Sequence, residues 1–128
     1  IKLPDTTPPK ISIISPLNGT ILSNKSITIN ASYSDDVEID ITSITLKLDG
    51  RDVTAYSIIT PISIIYSTTL EEGSHTISLT VKDTSGNIAT ATWSFTIAIP
   101  IDYTLYIIVI LAIVALGSII LILKRVKP

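Results

Sequence analysis

The chain has 128 residues, enough for one domain of about 100 residues and little else. It contains no cysteine and only one histidine, which excludes disulfide scaffolds, thiolate chemistry and the usual Cys–His zinc sites. The formal net charge is −2, and the absence of a basic patch before residue 105 argues against a nucleic-acid partner.

Residues 1–9 are predicted to form an N-terminal linker. Pro8 and Pro9 stiffen this segment and forbid a helix there. The sequence starts at Ile1 without a methionine or a signal-peptide pattern. Because an outward-facing domain needs an export signal, we expect that such a signal was removed or that Ile1 continues a longer chain.

Residues 10–99 are predicted to form an all-β domain. Isoleucine, serine and threonine are abundant, and β-branched residues pack well on a pleated sheet. Apolar and polar residues alternate in short runs, starting at Lys10–Ser15, and turn sequences such as SPLNG, Asp49-Gly50 and DTSGN separate these runs. About seven strands at this spacing predict an immunoglobulin-like β-sandwich. The residues predicted to face the core are Ile27, Ile29, Ala31, Tyr33, Ile44, Leu46, Leu48, Ile62, Ile64, Tyr66, Ile77, Leu79, Val81, Ala89, Ala91, Trp93, Phe95 and Ile97.

The run Leu105–Leu123 carries no charge and is predicted to form a single transmembrane helix. Such a helix is about 28 Å long, close to the roughly 30 Å hydrocarbon core of a bilayer. A buried core helix is the alternative, but so small a domain cannot surround this run on every face. A bacterial sorting signal also ends in an apolar run and a basic tail, but it carries an LPxTG-like motif before the run. This chain has IPIDY at that place, so a permanent anchor is predicted instead. Ala112, Ala115 and Ser118 form a track of small residues along the helix, which could allow close packing with another helix.

Residues on either side of this helix predict its orientation. The rings of Tyr103 and Tyr106 suit the headgroup region, and the basic residues Lys124, Arg125 and Lys127 predict a cytoplasmic C-terminus. The N-terminal domain is therefore predicted to be extracellular on a single-pass membrane protein. The predicted segments are a linker at 1–9, the sandwich at 10–99, a juxtamembrane hinge at 100–104, the helix at 105–123 and a basic tail at 124–128.

Several sequence pieces, taken together and in order, resemble the bacterial-type Ig-like repeats of bacterial and archaeal surface proteins. The pieces are DTTPPKI (5–11), SPLNG (15–19), LDGRDV (48–53), LEEGSH (70–75), VKDTSGN (81–87) and WSF (93–95). The resemblance implies a spacer, stalk or adhesive module, usually without catalysis. The stretch SDDVEID departs from the glycine-containing, Asp-rich sequence of many such repeats, so the loop there is expected to differ. The cysteine-free, charge-poor composition also resembles that of surface proteins from thermophilic archaea.

Three Asn-x-Ser/Thr sequons, at Asn18, Asn24 and Asn30, are candidate glycosylation sites in an exported chain. Asn18 and Asn24 fall in a predicted turn region, which favours modification. Asn30 alternates outward from Ile29 on a predicted strand and is the weaker candidate.

An acidic cluster is formed by Asp35, Asp36, Glu38 and Asp40, and Asp5 and Asp83 are expected at the same pole of the sandwich. Such a charge run is usually a solvated loop, and no EF-hand spacing is present, so no dedicated metal centre is predicted. Calcium, which prefers several hard oxygen ligands, is the alternative, with Asp35, Asp36 and Asp83 as its candidate ligands.

Nothing in the sequence predicts catalysis, a cofactor or a small-molecule substrate. His75 lacks a second histidine or a cysteine as a partner, and no GxSxG, phosphate-loop or HExxH motif occurs. His75 is therefore expected to play a structural role before a strand, and Trp93 to pack in the core rather than serve as a ligand platform.

Three functions remain open. The first is a non-catalytic membrane-anchored surface module that tethers an S-layer-like assembly or a larger exported protein, with the bilayer and other surface proteins as partners. The second is a single-span accessory subunit of an electron-transfer, secretion or transport complex. A third possibility is the end of a secreted hydrolase or binding protein, in which the Ig-like module positions an upstream domain. Fold alone does not choose among them.

Overall fold

The computed structural model describes residues 1–126 and shows a β-sandwich followed by one helix. Residues 1–9 form no helix or strand. A short 3₁₀ helix, Thr54–Tyr56, lies between the fifth and sixth strands. The strands are β1 (Lys10–Ser15), β2 (Ile21–Leu22), β3 (Ser26–Ser34), β4 (Ile39–Leu48), β5 (Arg51–Asp52), β6 (Ile58–Ile59), β7 (Ser63–Thr69), β8 (Gly73–Asp83) and β9 (Ile88–Ile97), and the helix is α1 (Thr104–Arg125).

The strands form two sheets that pack face to face. One sheet has the strand order β1-β3-β7-β6 and the other the order β2-β9-β8-β4-β5. Every pair is antiparallel except β2–β9. The predicted immunoglobulin-like sandwich is confirmed, with nine strands in the described residues rather than about seven. The strands β2, β5 and β6 have two residues each, too short to show an alternating pattern in the sequence.

The core lies between the sheets and is built by the predicted alternation. On β3, for example, Ile27, Ile29, Ala31 and Tyr33 are buried while the residues between them are more exposed. Burying apolar side chains of this size stabilises the fold by about 1.5–3 kcal/mol each. The prediction for Ile62 is wrong, because its side chain is 70% exposed.

The position of Ile62 follows from a tight turn before β7. The backbone N–H of Thr60 donates to the carbonyl of Ser63 at 2.9 Å, and the backbone N–H of Ser63 donates to the hydroxyl of Thr60 at 3.0 Å. This turn leaves Ile62 outside the strand, and inward alternation begins at Ile64, which is fully buried. Tyr66 and Ala91 are partly buried against the core.

Six residues separate the last strand from the helix α1. All its residues are exposed, and none belongs to the core of the sandwich. It is slightly longer than the predicted span Leu105–Leu123 and is long and apolar enough to cross a membrane. The Oδ1 atom of Asp102 accepts a hydrogen bond from the backbone N–H of Thr104, 2.9 Å away. The Asp102 side chain thereby satisfies one of the free backbone donors at the start of the helix.

Candidate functional site at the acidic pole

Three carboxylates meet at the end of the sandwich where β3 and β8 end and where β4 and β9 begin; we call this end the acidic pole. Asp5 comes from the N-terminal segment, Asp35 from the loop between β3 and β4, and Asp83 from the end of β8. One carboxylate oxygen from each lies within 4.8 Å of the others. The register that pairs Ile39 with Asp83 brings the two loops together. The sequence prediction that Asp5 and Asp83 lie near Asp35 is confirmed.

Asp83 is the buried centre of this group, since it is only 2% exposed. Its Oδ1 atom accepts the backbone N–H groups of Ser85 at 2.8 Å and Asn87 at 2.9 Å, and thereby shapes the turn between β8 and β9. Its Oδ2 atom accepts the Asn87 side-chain amide at 2.8 Å. Burial alone would raise the pKa of Asp83, but the hydrogen bonds from Asn87 outweigh it and lower the pKa to about 2.

Asn87 links the N-terminal segment to this turn. Its Nδ2 atom donates to the backbone carbonyl of Asp5 at 3.2 Å and to Oδ2 of Asp5 at 3.0 Å, in addition to Asp83. In the sequence, Asn87 stands out only as part of the DTSGN turn and of the VKDTSGN piece of the family resemblance. Its pairing with Asp5 spans almost the whole domain.

Asp35 is the least satisfied member of the group. Its Oδ1 atom accepts the backbone N–H of Asp36 at 2.7 Å, but its Oδ2 atom is buried and has no hydrogen-bond partner. The side chain of Asp36, burial and the side chain of Asp83 raise the pKa of Asp35 to about 6. A buried carboxylate oxygen without a donor or a cation is costly, and such atoms are uncommon in folded proteins.

The other predicted acidic candidates do not join the three carboxylates. Asp36 and Glu38 are exposed, and Glu38 contributes its backbone carbonyl to the N–H of Thr84 at 2.9 Å. Asp40 turns back on its own strand, where its Oδ1 atom accepts the backbone N–H of Thr42 at 3.0 Å. Among the described residues, Asp5 takes the place in the cluster for which Asp36 was a candidate.

The three sequon asparagines lie in different environments. Asn18 and Asn24 are exposed, and their Oδ1 atoms accept the backbone N–H groups of Ser94 at 3.1 Å and Ser26 at 2.9 Å. Asn30 lies in the middle of β3 between β1 and β7, and its Oδ1 atom is buried without a partner. Glycosylation at these positions stays a prediction.

His75 and Trp93 both have structural partners. The Nδ1 atom of His75 lies 2.7 Å from Oδ2 of Asp49, and its Nε2 atom lies 2.8 Å from the carbonyl of Glu71, so neither nitrogen faces a hydroxyl nucleophile. Trp93 is 3% exposed, and its indole N–H donates to the carbonyl of Pro16 at 3.0 Å. Both arrangements agree with the structural roles expected from the sequence.

The residues predicted to set membrane orientation lie at the two ends of α1. Tyr103 and Tyr106 are exposed at its start, and Lys124 and Arg125 lie in its last turn. Lys127 lies outside the described residues.

The two packed sheets, which are antiparallel except at the pair β2–β9, define an immunoglobulin-like domain by their strand order and their core. Residues 9–79 match the family model for the bacterial Ig domain, and the chain belongs to that family. A search of curated protein sequences gave no match.

Three solved structures show the extent of the similarity. The chain is 29% identical to part of dimeric latent PorU from Porphyromonas gingivalis, with a TM-score of 0.62 over 77% of this chain and 11% of PorU. It is 16% identical to the SrpA adhesin from Streptococcus sanguinis, with a TM-score of 0.52 over 77% of this chain and 61% of that one. It is 12% identical to CopC from Methylosinus trichosporium OB3b, with a TM-score of 0.53 over 73% of this chain and 98% of CopC. The last two similarities show the fold alone, and the chain spans about a ninth of the length of PorU.

Proposed function

We propose that this chain is a non-catalytic membrane-anchored surface module, in which the Ig domain tethers an S-layer-like assembly or a larger exported protein to the membrane. The observation that carries the proposal is the junction between β9 and α1. The last strand ends at Ile97, and an apolar helix that the sandwich leaves fully exposed starts at Thr104. An apolar surface of this size in water would favour aggregation, whereas a bilayer would cover it.

The proposed orientation places the Ig domain outside and the C-terminus in the cytoplasm. The basic residues Lys124 and Arg125 in the last turn of α1 support it, because cytoplasmic flanks carry an excess of lysine and arginine. A non-catalytic role is supported by the ring nitrogens of His75, which both bind acceptors rather than a nucleophile. The resemblance to surface repeats supports a spacer or tether.

The absence of cysteine allows a direct test of orientation in cells. Single-cysteine variants Ser12→Cys, on an exposed position of β1, and Pro128→Cys, in the tail, are treated with a membrane-impermeant maleimide. We expect intact cells to label Ser12→Cys only, and opened cells to label both. Labelling of Pro128→Cys alone in intact cells would show that the orientation is the reverse of the proposed one. Recovery of the chain in the fraction that contains no membranes would overturn the proposed membrane anchor.

The tethering role is tested by gentle solubilisation of membranes, capture of the full chain and mass spectrometry of the bound proteins. Recovery of an abundant surface protein that also binds a chain with a foreign transmembrane helix supports a tether through the Ig domain. Loss of all partners when only the helix is exchanged would overturn it.

A second candidate function is an accessory subunit whose helix packs in a membrane complex. The small-residue track at Ala112 and Ala115 favours it, although the hydroxyl of Ser118 donates to the carbonyl of Val114 at 3.1 Å within the helix. The paired variant Ala112→Leu and Ala115→Leu fills the track, and Ile110→Leu alters the opposite side as a control. Loss of a stoichiometric set of membrane subunits in the paired variant alone would support this second function.

A further inference from the structure

We propose that residues 16–22 and the facing residues 93–98 form a mechanical clamp, which resists force applied between the N-terminal segment and the membrane helix. We call this pair of segments the β2–β9 clamp. The inference rests on the proposed function only for the source of the force, because a tether is loaded at its two ends.

The two ends of the domain lie at opposite poles, so that a pull on them runs along the strands. Asn87 holds Asp5 at the acidic pole, where β9 begins, and α1 follows the other end of β9. Of the strands in the sandwich, β9 is the one that leads directly to the helix. It therefore receives any load that comes from the membrane.

The parallel pair β2–β9 meets this load in shear. Ile21 lies opposite Thr96 and Leu22 lies opposite Ile97, so both strands run from the acidic pole toward the helix. A pull on the N-terminal segment draws β2 toward the acidic pole, whereas a pull on α1 draws β9 the other way. Because the hydrogen bonds of a sheet run between strands rather than along them, all the bonds of this pair carry the load together.

The backbone part of the clamp reaches beyond the two residues of β2. Its three bonds run from the N–H of Gly19 to the carbonyl of Ser94 at 2.7 Å, from the N–H of Thr96 to the carbonyl of Thr20 at 2.9 Å, and from the N–H of Ala98 to the carbonyl of Leu22 at 2.9 Å. A strand that looks too short to resist force is therefore joined to β9 on both sides of its own two residues.

Two side chains lengthen the clamp toward the acidic pole. The Oδ1 atom of Asn18 accepts the backbone N–H of Ser94 at 3.1 Å. The indole N–H of Trp93 donates to the carbonyl of Pro16 at 3.0 Å, and both of these residues are buried. Burial keeps water from competing for this last bond when the strands begin to slide.

The neighbouring strand pairs make the clamp the point of release. The strand β9 is paired with β8 over ten positions, which fasten it to the body of the sandwich. The strand β1 lies before the clamp in the chain and is paired with β3 alone. Once β1 has slid away from β3, the load reaches residues 16–22 directly, and the clamp decides whether the two sheets stay together.

The test is force spectroscopy of the full chain in micelles, produced in a host that does not glycosylate sequons. Because the chain contains no cysteine, DNA handles can be attached at Lys2→Cys and Ile101→Cys, which are exposed positions on either side of the sandwich. This geometry loads the domain from end to end and leaves α1 in the micelle.

A second pair of handles, at Ser23→Cys and Ile101→Cys, provides the comparison. These handles pull on the same end of both parallel strands, so the bonds of the clamp break one after another. At the same force we expect slower unfolding under the end-to-end load than in this second geometry. Equal unfolding rates in the two geometries would overturn the clamp.

Matched variants test the contribution of one bond. Asn18→Ala removes the acceptor for Ser94 within the clamp. Asn24→Ala removes a similar Oδ1 acceptor, that for the backbone N–H of Ser26, outside the clamp. Since each variant loses one hydrogen bond, we expect similar decreases in the unfolding temperature without force.

Under the end-to-end load the same variants should differ. Asn18→Ala should unfold about fivefold faster than the unmodified chain, and Asn24→Ala should not. Asn18→Asp keeps the acceptor and should keep the original rate. Equal rates in Asn18→Ala and Asn24→Ala would overturn the proposal. The cysteine labelling of membrane orientation does not depend on these rates, so the clamp and the anchor can fail separately.

Discussion

Single side chains fix the loops of this sandwich by hydrogen bonds that cross long stretches of sequence. Trp93 reaches from β9 to the carbonyl of Pro16, and the hydroxyl of Tyr33 donates to the carbonyls of Thr60 at 2.6 Å and Ser63 at 2.7 Å. Burial raises the pKa of Tyr33 to about 12, so the hydroxyl keeps its proton and remains a donor. Each of these aromatic residues fills the core with its ring and holds a loop with its polar atom.

Trp93→Phe should therefore destabilise the domain through both roles. The substitution leaves the buried carbonyl of Pro16 without its donor and leaves a cavity beside the smaller ring, so we expect a loss of about 1–3 kcal/mol in the free energy of unfolding. Denaturant unfolding followed by circular dichroism in micelles measures the change. Tyr56→Phe is the control, because Tyr56 is 71% exposed. Similar losses in both variants would contradict the assigned role of Trp93.

His75 joins two loops at the end of the domain nearest the helix, and its protonation should govern that link. Burial disfavours the charged ring, but the carboxylate of Asp49 and the carbonyl of Glu71 outweigh burial and raise the pKa of His75 above its ordinary value of 6.5. Because both nitrogens face acceptors, the doubly protonated ring satisfies both. The side chain of Glu71 is itself occupied by Lys25 at 2.7 Å.

The raised pKa predicts that the domain loses stability as the pH rises. A histidine whose folded pKa lies above its unfolded value contributes stability that is fully present below about pH 6.5 and is lost as the pH rises through the folded pKa. Asp49→Asn should reduce this dependence and lower the pKa of His75. The variant keeps an acceptor for the N–H of Thr76 and tolerates the φ of 52° at position 49.

Nuclear magnetic resonance titration reports this pKa directly, since His75 is the one histidine of the chain. Unfolding midpoints between pH 6 and pH 9 provide the stability measurement. A pKa of His75 that is unchanged by Asp49→Asn would show that the ion pair with Asp49 does not raise this pKa.

At the scale of elements, the turn between β4 and β5 has a strict backbone requirement. Asp49 and Gly50 have φ values of 52° and 80°, and they connect Leu48 to its partner Arg51 in a two-residue hairpin. Positive φ at both central positions characterises the type I′ turn, whose twist matches that of the strands it joins. The sequence Asp-Gly therefore predicted this turn correctly.

Gly50→Ala should cost about 1–2 kcal/mol of stability, because a side chain at this position strains the left-handed conformation even though no atom lies within 4 Å of the added Cβ. Gly117→Ala is a matched control, since Gly117 lies in α1 and also has open space around it. The control should leave unfolding of the β-domain unchanged. Thermal unfolding of both variants in micelles distinguishes backbone strain from a general effect of the added methyl group.

The elements that the sequence predicts best are those with a strong local pattern. The long strands β3, β8 and β9 alternate over nine or more residues, and α1 is continuously apolar. The two-residue strands carry no such pattern, because they form only where a neighbouring strand offers free backbone groups. Ile62 was misplaced because the turn at Thr60 shifts the start of β7.

The acidic pole shows the same limit for the candidate site. The acidic residues between β3 and β4 are visible in the sequence as a run of charge, and the turn at Asp83 is visible as DTSGN. Their meeting depends on strand pairing, which sets Ile39 opposite Asp83. The inclusion of Asp5 depends on Asn87, a contact across 82 positions of sequence that no local pattern encodes.

At the scale of the whole molecule, the sandwich and α1 draw their stability from different sources. The core contains no residue of α1, and a helix of this composition is stabilised by its own hydrogen bonds in an apolar medium. The last contacts of the sandwich lie just beyond β9. The N–H of Ala98 donates to the carbonyl of Leu22 at 2.9 Å, and the N–H of Ile99 donates to Oε1 of Glu72 at 2.7 Å.

A chain that ends at Asp102 should therefore unfold like the β-domain of the full chain in micelles. We expect the unfolding temperatures to differ by less than about 4 °C, which corresponds to less than about 1 kcal/mol for a domain of this size. A chain that ends at Ile97 serves as the control. It loses the bonds of Ala98 and Ile99 and the packing of Ile99 on the core, so it should be less stable by about 1–3 kcal/mol. A large loss in the longer chain would mean that the helix supports the sandwich directly, whereas a loss in the shorter chain alone would place the boundary of the folded unit at Ile99 and leave the residues from Pro100 to Tyr103 as the connection to α1.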